Sequence, residues 1–195
     1  MRMMMIFAAA CLAFAPAAAT AQAFGVTPGT NVSRLNGTPS STGRKYYYRV
    51  TVPLPNREFE SYSAIATPTE GVCKIWGIGV DHDNDRYGSS AQSAYDNMKA
   101  TLSAKYGASK SVEYIKSGAL WDKSSEWVMS LRQKERTHVT YWIRGDGATL
   151  PAGLDAVSLK ISAVSSDSAY LDLTYEFSNF DSCKRRMDSE SNEGL

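Results

Sequence analysis

The alternation of apolar and polar residues predicts strands along most of the chain and one long helix. Strands are predicted at residues 45–52, 59–66, 71–80, 126–132 and 137–144, with a short one at 111–115. The clearest signal is a closing hairpin whose inward positions alternate on both arms: Val157, Leu159, Ile161, Ala163, then Ala169, Leu171, Leu173, Tyr175 and Phe177. The pattern predicts a single α+β domain, with a mostly antiparallel sheet of about seven strands and one long helix packed on it.

The alternation also predicts which side chains of two middle strands face the core. Alternation in 126–132 places Trp127, Met129 and Leu131 inward, and in 137–144 it places Val139, Tyr141 and Ile143 inward. Gln133 to Arg136 is then the polar connection between them. Trp142 falls on the opposite, outer face.

The segment from Gly71 to Gly107 is predicted to form a central unit of strand, acidic turn and helix. Its strand is apolar on both faces, and Gly77 and Gly79 share a face that another element can approach closely. Ser89 and Gln92 match a capping box, and Gly107 ends the helix. The helix has apolar residues at three- to four-residue intervals: Ala91, Tyr95, Met98, Leu102 and Tyr106.

Residues 1–21 are predicted to be an export signal, because Arg2 precedes an apolar run and small residues end at Ala21. A lipoprotein site at Cys11 is the alternative, but it lacks the usual leucine. Residues 22–44 are predicted to be an irregular arm, 45–183 the α+β domain, and 184–195 a polar, disordered tail. The sequence therefore predicts a periplasmic or secreted protein with no membrane-spanning segment in the mature chain.

Charge and cysteine content narrow the class of protein. Lys plus Arg number 21 and Asp plus Glu number 20, a formal net charge of +1, so the basic surface of a nucleic-acid-binding protein is not expected. Removal of the export signal leaves Cys73 and Cys183, which are expected to pair in an oxidising compartment. A reactive thiol is the alternative, although neither cysteine belongs to a Cys-x-x-Cys pair.

Several short motifs resemble a family of exported proteins in Gram-negative bacteria. They include Arg86-Tyr87-Gly88, Lys105-Tyr106-Gly107, the run from Ser117 to Asp122, Glu135-Arg136-Thr137, and the run from Tyr175 to Phe180 followed by Cys183. The family has no assigned activity. The resemblance supports the compartment and the single domain, and it implies no catalytic or binding residue.

The acidic turn is the one candidate for a metal site. Asp81, Asp83 and Asp85 alternate as in the first half of a calcium loop, but Arg86 stands where that loop needs glycine. Gln92 also stands where a bidentate glutamate is required. A solvated turn is the favoured interpretation, and the sequence implies no cofactor.

Aromatic residues outside the predicted core suggest a binding surface. Tyr47, Tyr62, Trp142 and Tyr170 are predicted on faces opposite the core stripes, and Trp121 lies in a loop. The alternative is that both faces of the sheet are covered, which would bury these rings.

Neither histidine belongs to a pattern that supports hydrolysis. His82 lies in the acidic turn, and His138 lies on the predicted outer face of its strand. The favoured interpretation is a non-catalytic periplasmic protein that binds another envelope protein or a small envelope ligand. A cell-envelope hydrolase acting on sugar or peptide is the alternative, since paired carboxylates are not recognisable from sequence.

Overall fold

The computed structural model describes residues 21–192, with side chains to residue 190. The predicted export signal and the lipidation alternative at Cys11 lie outside this range, except for Ala21. One antiparallel sheet has the strand order β1-β2-β3-β4-β8-β7-β6-β5. Its strands are β1 (Thr38–Pro39), β2 (Tyr47–Val50), β3 (Phe59–Thr67), β4 (Gly71–Gly79), β5 (Lys110–Ile115), β6 (Arg136–Ile143), β7 (Leu154–Ala163) and β8 (Ala169–Phe177).

The sheet consists of two four-stranded meanders joined at its centre. Strands β1 to β4 are consecutive neighbours, strands β5 to β8 are another consecutive set, and β8 pairs with β4. The prediction of an α+β fold with an antiparallel sheet is confirmed. The described residues contain eight strands and three α-helices, rather than about seven strands and one helix: α1 (Ser89–Tyr106), α2 (Trp127–Arg132) and α3 (Phe180–Asn192). None of these helices is long and apolar enough to cross a membrane.

Helix α1 packs on β7 and β8 and covers one face of the sheet, here called the α1 face. The predicted stripe is confirmed: Ala91, Tyr95, Leu102 and Tyr106 are buried, and Met98 packs against them. The helix ends at Gly107, whose φ is +75°.

The predicted capping box at the start of α1 is wrong. Gly88 occupies the N-cap position and provides no side-chain bond. The carboxylate of Asp85 accepts a hydrogen bond from the Ser90 amide at 2.7 Å instead, while the Gln92 side chain donates to the Tyr87 carbonyl at 3.0 Å. Because helix N-termini need acceptors for their free amides, Asp85 performs the capping function from outside the expected position.

Strand β6 turns the opposite face toward the main core from the one predicted, although Val139, at 4% exposed, is buried as predicted. Thr140 and Trp142, rather than Tyr141 and Ile143, face the core, and Trp142 is 0% exposed. Val139 pairs with Lys160 of β7, whose neighbours Leu159 and Ile161 are core residues, so the pleat forces Val139 to the other face. Burying the large indole of Trp142 outweighs burying Tyr141, and the alternation alone could not distinguish the two registers.

The segment predicted as a strand at 126–132 is helical. A 3₁₀ turn (Ser124–Glu126) leads into α2, and Trp127, Val128 and Leu131 are buried. The spacing of these three residues places them on one side of a helix. The same short run also contains the alternating set Trp127, Met129 and Leu131, which fits a strand, so its sequence is ambiguous. The Ser130 hydroxyl donates to the Trp127 carbonyl at 2.6 Å inside the helix.

The predicted irregular arm contributes to the core. Ala23, Val26 and Leu35 are buried, a 3₁₀ helix spans Val32–Leu35, and β1 extends the sheet. The Phe24 ring makes edge contacts with the rings of Phe59, Tyr62 and Tyr175 at centroid distances of 5.5, 4.8 and 5.3 Å.

The close approach predicted at the two glycines of β4 is also present. A Cβ on Gly77 would lie 2.9 Å from the Phe59 ring and 3.2 Å from that of Phe24, and one on Gly79 would lie 2.9 Å from the Leu171 backbone. Gly77 therefore makes room for the aromatic cluster that anchors the arm.

The predicted disordered tail is wrong as far as Asn192, because those residues belong to α3. This helix packs on β3 and β4, on the face opposite α1. Cys183 lies at disulfide-bonding distance from Cys73, with a Cα–Cα separation of 6.5 Å, as predicted. Near the helix end, the Tyr46 hydroxyl donates to the Glu190 carboxylate at 2.6 Å. The polar sequence concealed a helix that is held by a covalent bond and a few contacts rather than by a wide apolar stripe.

Candidate functional site

Strands β6 and β7 separate at one end of the sheet. Strand β6 pairs with β5 from Arg136 to Tyr141, but its pairing with β7 begins only at Val139, opposite Lys160. Strand β7 stays paired with β8 as far as Ala163. The residues 136–138 and 161–163 therefore border an opening within the sheet, which we call the strand fork.

A groove of about 400 Å³ lies at the strand fork and is bordered by four cationic side chains. Helix α2 and its C-terminal turn form one wall, and the two diverging strands form the rest. The cations are Arg132, Lys134, Arg136 and Lys160, and the other lining residues are Leu131, Thr137, His138, Ile161, Ser162, Ala163 and Tyr170. This set is called the basic groove below.

Most of the positive charge in the basic groove is not neutralised by protein carboxylates. Lys160 lies 3.7 Å from Asp172, whereas Arg132, Lys134 and Arg136 form no ion pair within residues 21–190. The Arg136 Nε donates to the Ser130 hydroxyl at 2.9 Å, and its guanidinium lies over the Trp127 ring at 5.5 Å. Burial lowers the pKa of Arg136. The groove thus presents cations, one of them held by packing, to any anion that enters it.

Lys134 has a backbone conformation that lysine rarely adopts. Its φ is +59°, in the left-handed region. Its amide donates to the Leu131 carbonyl at 3.0 Å, and the Glu135 amide donates to the Ser130 carbonyl at 2.9 Å, which together end α2. Glycine is the usual residue at this place after a helix, so a lysine here breaks a local rule. Such exceptions concentrate at functional sites, and this one adds a cation to the basic groove.

His138 contacts the core on one side and the basic groove on the other. Its ring makes edge contacts with Tyr95 at 4.5 Å and Trp127 at 5.6 Å, and its Nε2 lies 3.9 Å from the Glu113 carboxylate. Burial lowers the pKa of His138, while the carboxylates of Glu113 and Asp96 act in the opposite direction.

A chain of hydroxyl groups lies beside His138 on the α1 face. The Tyr95 and Thr140 hydroxyls are 2.6 Å apart, the Thr140 and Ser111 hydroxyls are 2.8 Å apart, and burial raises the pKa of Tyr95 to about 12. Among the described residues, no hydrogen bond joins His138 to this chain. A base and nucleophile in contact, as hydrolysis through a serine requires, are therefore not assembled in this arrangement.

The five predicted surface aromatics do not form one surface. Tyr62 is 7% exposed and its hydroxyl accepts a bond from the Asn56 amide at 2.8 Å, while Trp142 is in the core, so the prediction is wrong for both. Tyr47 is half-buried beside Trp76 near α3, with 6.2 Å between ring centroids. Tyr170 lines the basic groove, and burial raises its pKa. The Trp121 amide donates to the Glu135 carboxylate at 2.9 Å, next to Lys134.

The acidic turn has a structural role in the fold. Asp85 caps α1, its amide donates to the Asp167 carbonyl at 2.8 Å, and His82 bridges to Ala169. In the described part of the chain, Asp81, Asp83 and Asp85 are not placed with one another as a group that could hold a metal ion. The turn therefore fastens the start of α1 to the β7–β8 turn.

A larger cleft of about 730 Å³ lies between α1 and the segment before β3. It is lined by Asn56, Arg57, Glu58, Ala94, Asn97, Met98 and Thr101. Arg57 and Glu58 lie 3.2 Å apart, so their charges offset each other. The cleft lacks the excess charge of the basic groove and offers no comparable basis for selecting a ligand.

Sequence reasoning missed the basic groove because it treated residues 133–136 as a plain polar connection. A signal was present: Arg132, Lys134 and Arg136 put three cations within five residues. Comparison of the chain with protein-family models, curated proteins and solved structures gave no significant match. The functional argument therefore depends on the geometry of the site.

Proposed function

We propose that this protein is a non-catalytic periplasmic binding protein that holds an anionic group of an envelope ligand in the basic groove. The observation that carries the proposal is the set of three cations, Arg132, Lys134 and Arg136, that border one groove without forming an ion pair with any described residue. The export-signal pattern and the pairing of Cys73 with Cys183 support the compartment, since disulfides persist in oxidising environments.

The groove favours a carboxylate or phosphate on a small or narrow ligand. Guanidinium and ammonium groups donate charge-assisted hydrogen bonds to both kinds of oxyanion. A volume of about 400 Å³ falls at the lower end of the range for small-molecule sites. Ile161 and Tyr170 add an apolar wall, so the ligand should carry a short apolar portion next to its acid.

The binding experiment is a titration of ¹⁵N-labelled protein followed by NMR, with inorganic phosphate and N-acetylglutamate as separate probes. We expect the amide signals of residues 132–138 and 160–163 to shift with each probe that binds, and the shifts to weaken as sodium chloride is added. A response to one probe alone identifies the kind of oxyanion.

Two variants and a control locate the effect. Lys134→Ala and Lys160→Ala should each weaken binding several-fold, whereas Lys184→Ala, which removes an exposed cation on α3, should leave it unchanged. Shifts that are spread over the whole surface, or that survive both groove substitutions, would contradict the proposal.

A further inference from the structure

Strand β5 forms an open edge of the sheet. Among the described strands it pairs only with β6, over a continuous register from Lys110–Tyr141 to Ile115–Arg136. The Lys116 amide continues this ladder by donating to the Glu135 carbonyl at 2.8 Å. Because alternate residues of an antiparallel strand bond to the same neighbour, residues 110, 112 and 114 bond to β6. The backbone groups of Ser111, Glu113 and Ile115 therefore point away from the sheet, and no described residue bonds to them.

This edge carries the charged side chains of Lys110 and Glu113, but it lacks the other features that usually prevent one sheet from pairing with another. It has six residues, no proline and no bulge, and the Tyr114 side chain beside it is 50% exposed. The other edge, β1, has two residues and ends in Pro39. One edge is blunted in the usual manner, and the other is suited to accept a further strand.

We propose that β5 pairs antiparallel with β5 of a second copy of this chain, about a two-fold axis at Val112. Residues that lie opposite each other in an antiparallel pair point to the same face of the sheet, and faces alternate along a strand. A two-fold axis between two copies of one strand must therefore bring a residue opposite its own copy, rather than fall between two residues. The strand has four interior residues that could serve as this centre: Ser111, Val112, Glu113 and Tyr114.

The side chains select Val112 among these centres. A centre at Glu113 places two carboxylates opposite each other, which is unfavourable. A centre at Ser111 leaves Glu113 opposite a residue outside the strand, and a centre at Tyr114 does the same to Val112. The centre at Val112 places Ser111 opposite Glu113 of the second copy, Lys110 opposite its Tyr114, and Val112 opposite itself. Each pair is compatible, with a hydroxyl next to a carboxylate, a cation next to an aromatic ring, and two apolar groups.

The unpaired backbone groups of one copy lie opposite the unpaired backbone groups of the other copy in this register. Ser111 and Glu113 both point outward, so each can exchange two hydrogen bonds with its counterpart in the second copy. The pairing would join the two eight-stranded sheets edge to edge, with the α1 faces on the same side.

The test uses the fact that a residue on a two-fold axis meets its own copy. We expect sedimentation equilibrium of the wild-type protein to give twice the mass of one chain. Val112→Glu and Val112→Lys each place like charges opposite each other and should weaken self-association about tenfold. An equal mixture of the two variants should restore the dimer, because glutamate then faces lysine. Val164→Glu, at an exposed site in the β7–β8 turn, should have no effect.

A second variant tests the outward backbone groups without depending on charge. Ser111→Pro removes an amide that points away from β6, so it should give a folded monomer. Val112→Pro removes an amide that bonds to β6 and should lower the melting temperature. A monomeric wild-type protein at every accessible concentration would overturn the proposal. So would a dimer that tolerates the charged substitutions, or variants that fail to associate when mixed.

Discussion

Replacing Lys134 with glycine should stabilise the fold while weakening the binding of anions. The left-handed conformation costs an L-residue roughly 1–2 kcal/mol, and Lys134 adopts it with a φ of +59°. Glycine removes this strain, but it also gives the unfolded chain more conformational entropy, which lowers the free energy of unfolding by roughly 0.4–1 kcal/mol. The free energy of unfolding should therefore rise by about 0.5–1 kcal/mol.

The control for this prediction is Lys134→Ala, which removes the same charge but retains the backbone strain. Any relief of repulsion between Lys134 and the neighbouring Arg132 and Arg136 is common to both variants, so the difference between them isolates the backbone contribution. Urea unfolding gives that difference, provided that the m-value is the same in all three proteins. A gain of about 1 kcal/mol corresponds to an increase of roughly 2–4 °C in melting temperature for a domain of this size.

The binding measurement separates function from strain. Both variants lack the ammonium group, so we expect them to bind phosphate or N-acetylglutamate equally and more weakly than wild type. The reasoning is refuted if alanine stabilises the protein as much as glycine does, because strain at this position would then not be the cause. Unchanged binding in both variants would show that Lys134 is retained for another reason.

Three further predictions concern the core and its titratable groups. The Cys73–Cys183 bond joins residues 110 positions apart, so its reduction should lower the free energy of unfolding by about 4–5 kcal/mol. Urea unfolding measures this loss, with a Cys73→Ser, Cys183→Ser double variant as the reference. Phe24→Ala should cost roughly 2–3 kcal/mol, because the half-buried ring contacts three other rings, and a loss below 1 kcal/mol would contradict a structural role for the arm. The pKa of His138 is lowered from 6.5 mainly by burial, so below about pH 6.5 the unfolded chain binds a proton that the folded chain does not, and stability falls as the pH falls. His138→Gln should make stability less dependent on pH, which urea midpoints measured between pH 5 and 7.5 will show. The carboxylates of Glu113 and Asp96 oppose the lowering of the His138 pKa, whereas the cations Lys99 and Arg136 add to it.

Much of the fold could be predicted because several elements allow only one interpretation. The stripe of α1 has helical spacing that no strand can share, and the β7–β8 hairpin alternates over its whole length. The pairing of Cys73 with Cys183 could be predicted because only these two cysteines remain once residues 1–21 are set aside. In these cases one local pattern agrees with the requirements of the sheet, and the structure confirms the prediction.

The errors arise where two patterns fit equally well or where a contact is distant in sequence. In β6, both Val139-Tyr141-Ile143 and Thr140-Trp142 supply apolar surface, and only the pairing with β7 decides which set faces the main core. The arm reads as a loop from its composition, yet Phe24 enters a space that Gly77 leaves open more than 50 residues later. Helix α3 has few apolar residues, and its attachment depends on Cys73 and Tyr46, which its own sequence does not show.

The basic groove depends on tertiary structure in the same way. Arg132, Lys134 and Arg136 alternate in the sequence, and an alternating strand would have aligned all three along one solvated face. Because α2 ends at Arg132 and is followed by the left-handed Lys134, these cations border the same groove as Lys160 of β7. The incorrect prediction of a strand at 126–132 and the failure to predict the site therefore have one cause. Correcting the secondary structure of that segment is what brings the cations to one groove.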